Sequence, residues 1–177
     1  MRQRTIVIAA MILLSSTPAA AELRIPCLWN PFGGCSVTLV SPDYAKRPVQ
    51  PLNREAALAE VNAFRAANGR DALILDDRLC RAAAMQSETQ AARSAIGHTG
   101  PGGSKPMDRA ARAGYRAKIA SENVASGQKS FSDALRTWKG SFSHRTNMLR
   151  PNVSAIGVAM AKNENGRAYW TLVLAGE

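Results

Sequence analysis

The stretch Ala155-Ile156-Gly157-Val158-Ala159-Met160-Ala161 alternates bulky with small residues, and Tyr169-Trp170-Thr171-Leu172-Val173-Leu174 follows it beyond an Asn165-Gly166 pair. A period of two on both sides of a turn dipeptide predicts an antiparallel hairpin. Upstream, the periodicity is mostly helical. Asn53 is a candidate cap for a helix with Leu58, Val61 and Phe64 on one face, stopped by Asn68-Gly69. Residues 73–75 form a brief apolar extended piece, and Asp76 or Asp77 caps an alanine-rich helix running to about Ser94. Gly97-His98-Thr99-Gly100-Pro101-Gly102-Gly103 must be a loop, because so many glycines dissolve helix and strand alike. A short helix follows Pro106 and ends near Gly114, and residues 119–125 read as a strand. Ser130 and Asp133 resemble a capping box, behind which Phe131, Leu135, Trp138 and Phe142 recur as a core-facing stripe. Helices first and strands mostly late give an α+β class with an antiparallel sheet.

Composition agrees with one ordinary globular domain: 177 residues, 46% hydrophobic and 20% charged. Such an apolar fraction excludes a wholly disordered chain, and the lack of a sustained period excludes collagen and coiled coil. Residues 1–21 read as a cleaved export signal. Arg2 and Arg4 precede the uncharged apolar run 6–14, and Ala19-Ala20-Ala21 supplies a small-x-small cleavage site before Glu22. The apolar run is too short to span about 30 Å of hydrocarbon. Removing Arg2 and Arg4 lowers the formal charge from +10 to +8. That balance favours adsorption to anionic envelope phosphates and carboxylates. Nucleic acid is not an expected partner: Arg54, Arg65, Arg78, Arg93, Arg109 and Arg136 are scattered singly, as on a solvated surface, with no nucleic-acid motif.

Residues 22–52 carry five prolines and little periodicity, and read as a leader ahead of a domain spanning 53–177. Cys27 and Cys35 lie within one short Pro- and Gly-containing loop, and an exported protein meets an oxidising compartment, so a local disulfide is expected there. Cys80 falls in a helix as a small buried thiol, although its pairing with either partner is the rival connectivity.

Only two histidines occur, His98 on the glycine-rich loop and His144 just beyond the Trp138 helix. Between them Glu122 stands in Ser121-Glu122-Asn123-Val124-Ala125, where a buried carboxylate is costly unless a partner or metal satisfies it. Two imidazoles and a carboxylate are sufficient for a divalent metal such as zinc, or for acid–base work. If a metal binds, Glu122→Gln should weaken metal binding more than folding. Asn123 and Asn147 are small polar residues suited to tying loop backbones near such a cleft.

Gly97-His98-Thr99-Gly100, then Glu122-Asn123-Val124-Ala125, then Trp138-x-x-Ser141-x-x-His144-Arg145-x-Asn147-x-Leu149, and finally Ile156-Gly157-Val158 with Tyr169-Trp170-Thr171 occur in that order. This succession resembles the CAP superfamily (cysteine-rich secretory, antigen five and pathogenesis-related proteins), in its compact bacterial form. The resemblance implies a three-layer α-β-α sandwich with a central antiparallel sheet. It also implies a cleft lined by two histidines and two acidic residues that binds a divalent cation in some members. His98, Glu122 and His144 take three of those positions. The fourth, a glutamate in many members, is Ser141 here, which removes a negative charge and weakens any metal site.

Two functions compete on this reading. One is an exported, non-catalytic module whose cleft binds a lipid, a cell-wall fragment or a protein. The other is a metal-assisted hydrolase with His98 and His144 as ligands and Glu122 as ligand or base. No His-Glu-x-x-His helix, Gly-x-Ser-x-Gly elbow or cysteine nucleophile beside a histidine supports the hydrolase, and binding is favoured.

Overall fold

The structure is a computed structural model that describes residues 42–177. The expected export signal, most of the leader, and Cys27 with Cys35 lie outside the described residues. The chain divides into two units, Met1–Lys46 and Arg47–Glu177. Of the first, only the short helix α1 (Pro42–Lys46) is described. The second holds everything that follows.

It opens with α2 (Arg54–Ala66), where Asn53 accepts from the Ala56 N–H, as a capping asparagine should. Two residues of strand, β1 (Ile74–Leu75), lead directly into α3 (Asp77–Arg93). Asp76 makes both ends of that joint. Its N–H donates to the Ile156 carbonyl, and its carboxylate accepts from the Arg78 and Leu79 N–H groups. A glycine-rich loop with a short 3-10 turn (Pro101–Gly103) precedes α4 (Pro106–Arg112) and β2 (Ile119–Ser126). Then come α5 (Phe131–Gly140), capped by Ser130, α6 (Phe142–Met148), β3 (Ala155–Lys162) and β4 (Ala168–Gly176).

The strands lie in the order β1-β3-β4-β2. The three long strands are antiparallel, but β1 runs parallel to β3, so the sheet is mixed rather than purely antiparallel. A two-residue run carries no pattern that fixes its direction. Here Asp76 sends the chain straight into α3, and β3 returns beside β1 in the same sense.

The alternation in β3 sorts residues onto two different faces. Ile156, Val158, Trp170, Leu172 and Leu174 join one core with Ala57 and Val61 of α2, Leu135 and Trp138 of α5, and Met148 of α6. Ala155, Ala159, Val173 and Ala175 join the other with Leu79 and Ala83 of α3 and Ala110 of α4. The second face is small for a reason. A Cβ at Gly157 would stand 2.0 Å from the Leu79 carbonyl carbon, so only glycine lets the α3 backbone lie on the sheet. Helical layers on both faces make an α+β sandwich.

Three sequence expectations need correction. Phe142 is 77% exposed and leaves the core-facing stripe, because α5 ends at Gly140 and Ser141 restarts the chain as α6. The helical phase is broken one residue before Phe142. Arg65 and Arg109 are wholly buried rather than solvated. Arg65 donates to the carbonyls of Asp71, Met148 and Arg150, so its charge sits at the C-terminal end of α6, where exposed carbonyls favour a cation.

Candidate functional site

The site is organised by the alternation of β2, which lies at the edge of the sheet. Glu122 is paired in register with Val173, on the small face that packs against α3 and α4. Asn123, one residue on, is paired with Leu172 and belongs to the opposite face, where α6 packs. Adjacent residues of one strand therefore serve the two sides of the site.

On the α4 side, the Glu122 side chain is 1% exposed and both oxygens are engaged. Arg109 Nη2 donates to Oε2 at 2.5 Å, and His98 Nδ1 lies 3.0 Å from Oε1. Arg109 also donates through Nη1 to the carbonyls of Ser104 (2.6 Å) and His98 (3.3 Å). One guanidinium thus fastens both arms of the glycine-rich loop to the glutamate on the sheet. Gln86 of α3 holds the same loop from beneath, its amide donating to the Gly97 carbonyl. Gly100 permits the close approach: a Cβ there would stand 2.6 Å from Arg109 Nη1 and 2.8 Å from Gln86 Oε1. His98 is left half-exposed at the surface, and the hydrogen bond to Glu122 raises its pKa above the ordinary value of 6.5.

On the α6 side, Asn123 Nδ2 donates to the His144 carbonyl at 3.0 Å. Asn147 Nδ2 donates to Asn123 Oδ1 and to the Glu122 carbonyl. The two asparagines stitch α6 to the edge strand and fix where His144 sits. The His144 Nδ1 atom is buried without a hydrogen-bond partner. Burial, and then the charge of His98, lower the His144 pKa below 6.5. Two imidazoles flank one strand and are pushed in opposite directions. The Ser141 hydroxyl lies 3.3 Å from that of Ser143.

These donors fit a dication poorly. Glu122, the carboxylate a metal would need, already neutralises Arg109, and a cation added there would meet a buried guanidinium. Among the described residues, no group of three or more His, Cys, Asp and Glu side chains is placed to hold a metal ion. Arg109 is a site residue that the sequence analysis places on the solvated surface. A glutamate inside an apolar strand demands a cation, but only the fold shows that Arg109 of α4, 13 residues upstream, is the one that meets it.

A mixed sheet sandwiched between helices, with a His–Glu–Arg cluster and a second histidine flanking its edge strand, defines an α+β sandwich with a polar site at its sheet edge. The chain belongs to the CAP family: the model of the cysteine-rich secretory protein family matches residues 58–174. It is 33% identical over 116 residues to the uncharacterized protein YkwD of Bacillus subtilis, a match covering 66% of this chain and 44% of that protein. The chain therefore spans less than half the length of this curated relative. Among solved structures, an outer surface protein of Borrelia burgdorferi superposes with a TM-score of 0.64 at 20% identity, covering 70% of this chain and 91% of that one. An extracellular SCP-domain protein of Bacillus anthracis gives 0.64 at 20% identity, covering 80% of this chain and 45% of that one. At these identities the likeness concerns the fold.

Proposed function

We propose that the protein is an exported, non-catalytic CAP module that binds an extracytoplasmic ligand or partner in the cleft region of His98 and His144, which flank the strand that carries Glu122. The observation that carries this reading is the double engagement of Glu122 by Arg109 and His98. A carboxylate so held is a poor general base and a poor metal ligand, which supports the binding reading over the hydrolase. What remains accessible is a half-exposed His98, whose pKa is raised by its hydrogen bond to Glu122, beside the buried Arg109. Export rests on the residue 1–21 pattern, and agrees with the extracellular and outer-surface descriptions of the structural neighbours. The excess of basic over acidic residues favours residence at an anionic envelope surface.

Co-sedimentation with purified cell-wall sacculi and with anionic vesicles tests the proposal, alongside turnover assays on peptide and ester substrates. Saturable sedimentation, weakened by His98→Ala and without turnover, is expected. Substrate turnover abolished by His144→Ala would establish the hydrolase instead.

A further inference from the structure

The two edges of the sheet are finished differently. At the β2 edge, side chains from the helices take up outward carbonyls: Asn147 Nδ2 donates to that of Glu122, and Trp138 Nε1 to that of Val124. At the other edge, β1 covers β3 only as far as Ile156, because the chain turns into α3 after Asp76. The Asp76 N–H reaches the Ile156 carbonyl from this outer side, whereas the Asn163 N–H donates to the Arg167 carbonyl across the hairpin. Alternation along an antiparallel strand therefore turns the odd-numbered backbone groups of β3 toward β4 and the even-numbered ones outward. The Val158 N–H donates to the Cys80 sulfur. The outward N–H and C=O groups of Met160 and Lys162 have no hydrogen-bond partner among the described residues.

A groove of about 710 Å³ lies along this open edge. Ala159 and Met160 both line it, although they belong to opposite faces of the sheet, so the groove opens on the edge itself. Its two walls differ. On the α2 side, Leu52 and Met160 are apolar, and Arg54 and Glu55 offset one another in charge. On the α3 side stand Ala84 and, one turn on, the exposed Glu88, which has no ion-pair partner among the described residues.

We propose that the open edge of β3 takes up an extended peptide segment of a partner protein, in which apolar and basic residues alternate. An unpaired strand edge is the chemistry that recognises an extended backbone, and each outward N–H and C=O of Met160 and Lys162 gains a partner when a strand is added. Side chains of the added strand point alternately to the two walls. Apolar ones meet Leu52 and Met160, and basic ones pass over the small Ala84 to Glu88. This edge is across the sheet from the strand that carries Glu122, so the inference goes beyond the binding of a ligand near His98 and His144.

Titration of the ¹⁵N-labelled exported chain with the peptide acetyl-Val-Lys-Val-Lys-Val-amide, followed by amide shifts and hydrogen exchange, tests it. Saturable shifts at Met160 and Lys162, with slowed exchange of those two amides, are expected. The charge-reversed peptide acetyl-Val-Glu-Val-Glu-Val-amide should bind about fivefold more weakly, and Glu88→Lys should invert that order. Methylating alternate peptide nitrogens keeps the side chains but removes the ladder donors, and should abolish binding. No saturable shift, or equal response to the N-methylated peptide, overturns the inference. Protection of the Met160 and Lys162 amides before peptide is added also overturns it. Protection that grows with protein concentration would assign the edge to a second copy, and protection independent of concentration to this chain's own leader. Shifts centred on His98 and His144 overturn it as well while leaving the binding-module reading intact.

Discussion

Arg109 and Glu122 form an ion pair at 2.5 Å in which the two side chains are 0% and 1% exposed. Removing one partner of such a pair leaves the other charged and buried, at a typical cost of about 3–5 kcal/mol. Glu122→Gln and Arg109→Met should each lose about that much in urea unfolding, a large part of a small domain's stability. The double substitution should lose clearly less than the sum, because neither charge is then stranded. Additive losses would mean that the pair is not coupled. The buried pairing with Arg109 gives Glu122→Gln a cost in folding whether or not a metal binds.

The two histidines should titrate on opposite sides of 6.5 in NMR spectra, His98 above and His144 below. The consequences for stability are opposite. His98 is stabilised when protonated, so its contribution is complete below about 6.5 and is lost as pH rises through its folded pKa. The fold prefers His144 neutral, so that contribution is present above about 6.5 and is lost as pH falls toward its folded pKa. His98→Gln should remove the first dependence, His144→Gln the second. Coincident midpoints for both rings would contradict the geometry.

Gly157→Ala should destabilise the domain by more than about 3 kcal/mol, beyond the usual 1–3 kcal/mol of overpacking, since the added carbon meets helix backbone that has no rotamer to change. Gly140→Ala is the control. Nothing lies within 4 Å of its Cβ position, and alanine in place of a helical glycine should stabilise by about 0.5–1 kcal/mol. Thermal unfolding of the two variants separates close packing from a general intolerance of substitution.

Cys80 is 1% exposed, and burial raises its thiol pKa. It should stay unmodified by maleimide until the protein is unfolded. Non-reducing peptide mapping of the exported protein should join Cys27 to Cys35, on a chain whose mass begins at Glu22. A Cys80-linked peptide would refute that pairing.

The sheet and its two helical layers were legible because alternation in residues 155–161 is a local signal, and so are the caps at Asn53 and Asp76. Phe142 misled because a heptad-like spacing survives in sequence even where Ser141 resets the helix. The direction of β1 was invisible, as pairing between residues 74 and 155 is written in no local pattern. His98, Glu122 and His144 could be singled out by scarcity and by a charge in an apolar strand. Arg109 could not: an arginine looks alike in sequence whether it faces water or a glutamate, and only the fold distinguishes it from Arg93.

Both Glu122 oxygens are engaged, one by Arg109 and one by His98, and a cation placed there would meet a buried guanidinium. Calorimetric titration of the purified protein with Zn²⁺ at pH 7.5 tests this most directly. No stoichiometric binding is expected at tens of micromolar protein, with traces unchanged by His98→Ala. One equivalent of tightly bound zinc, lost in both His98→Ala and His144→Ala, would contradict it.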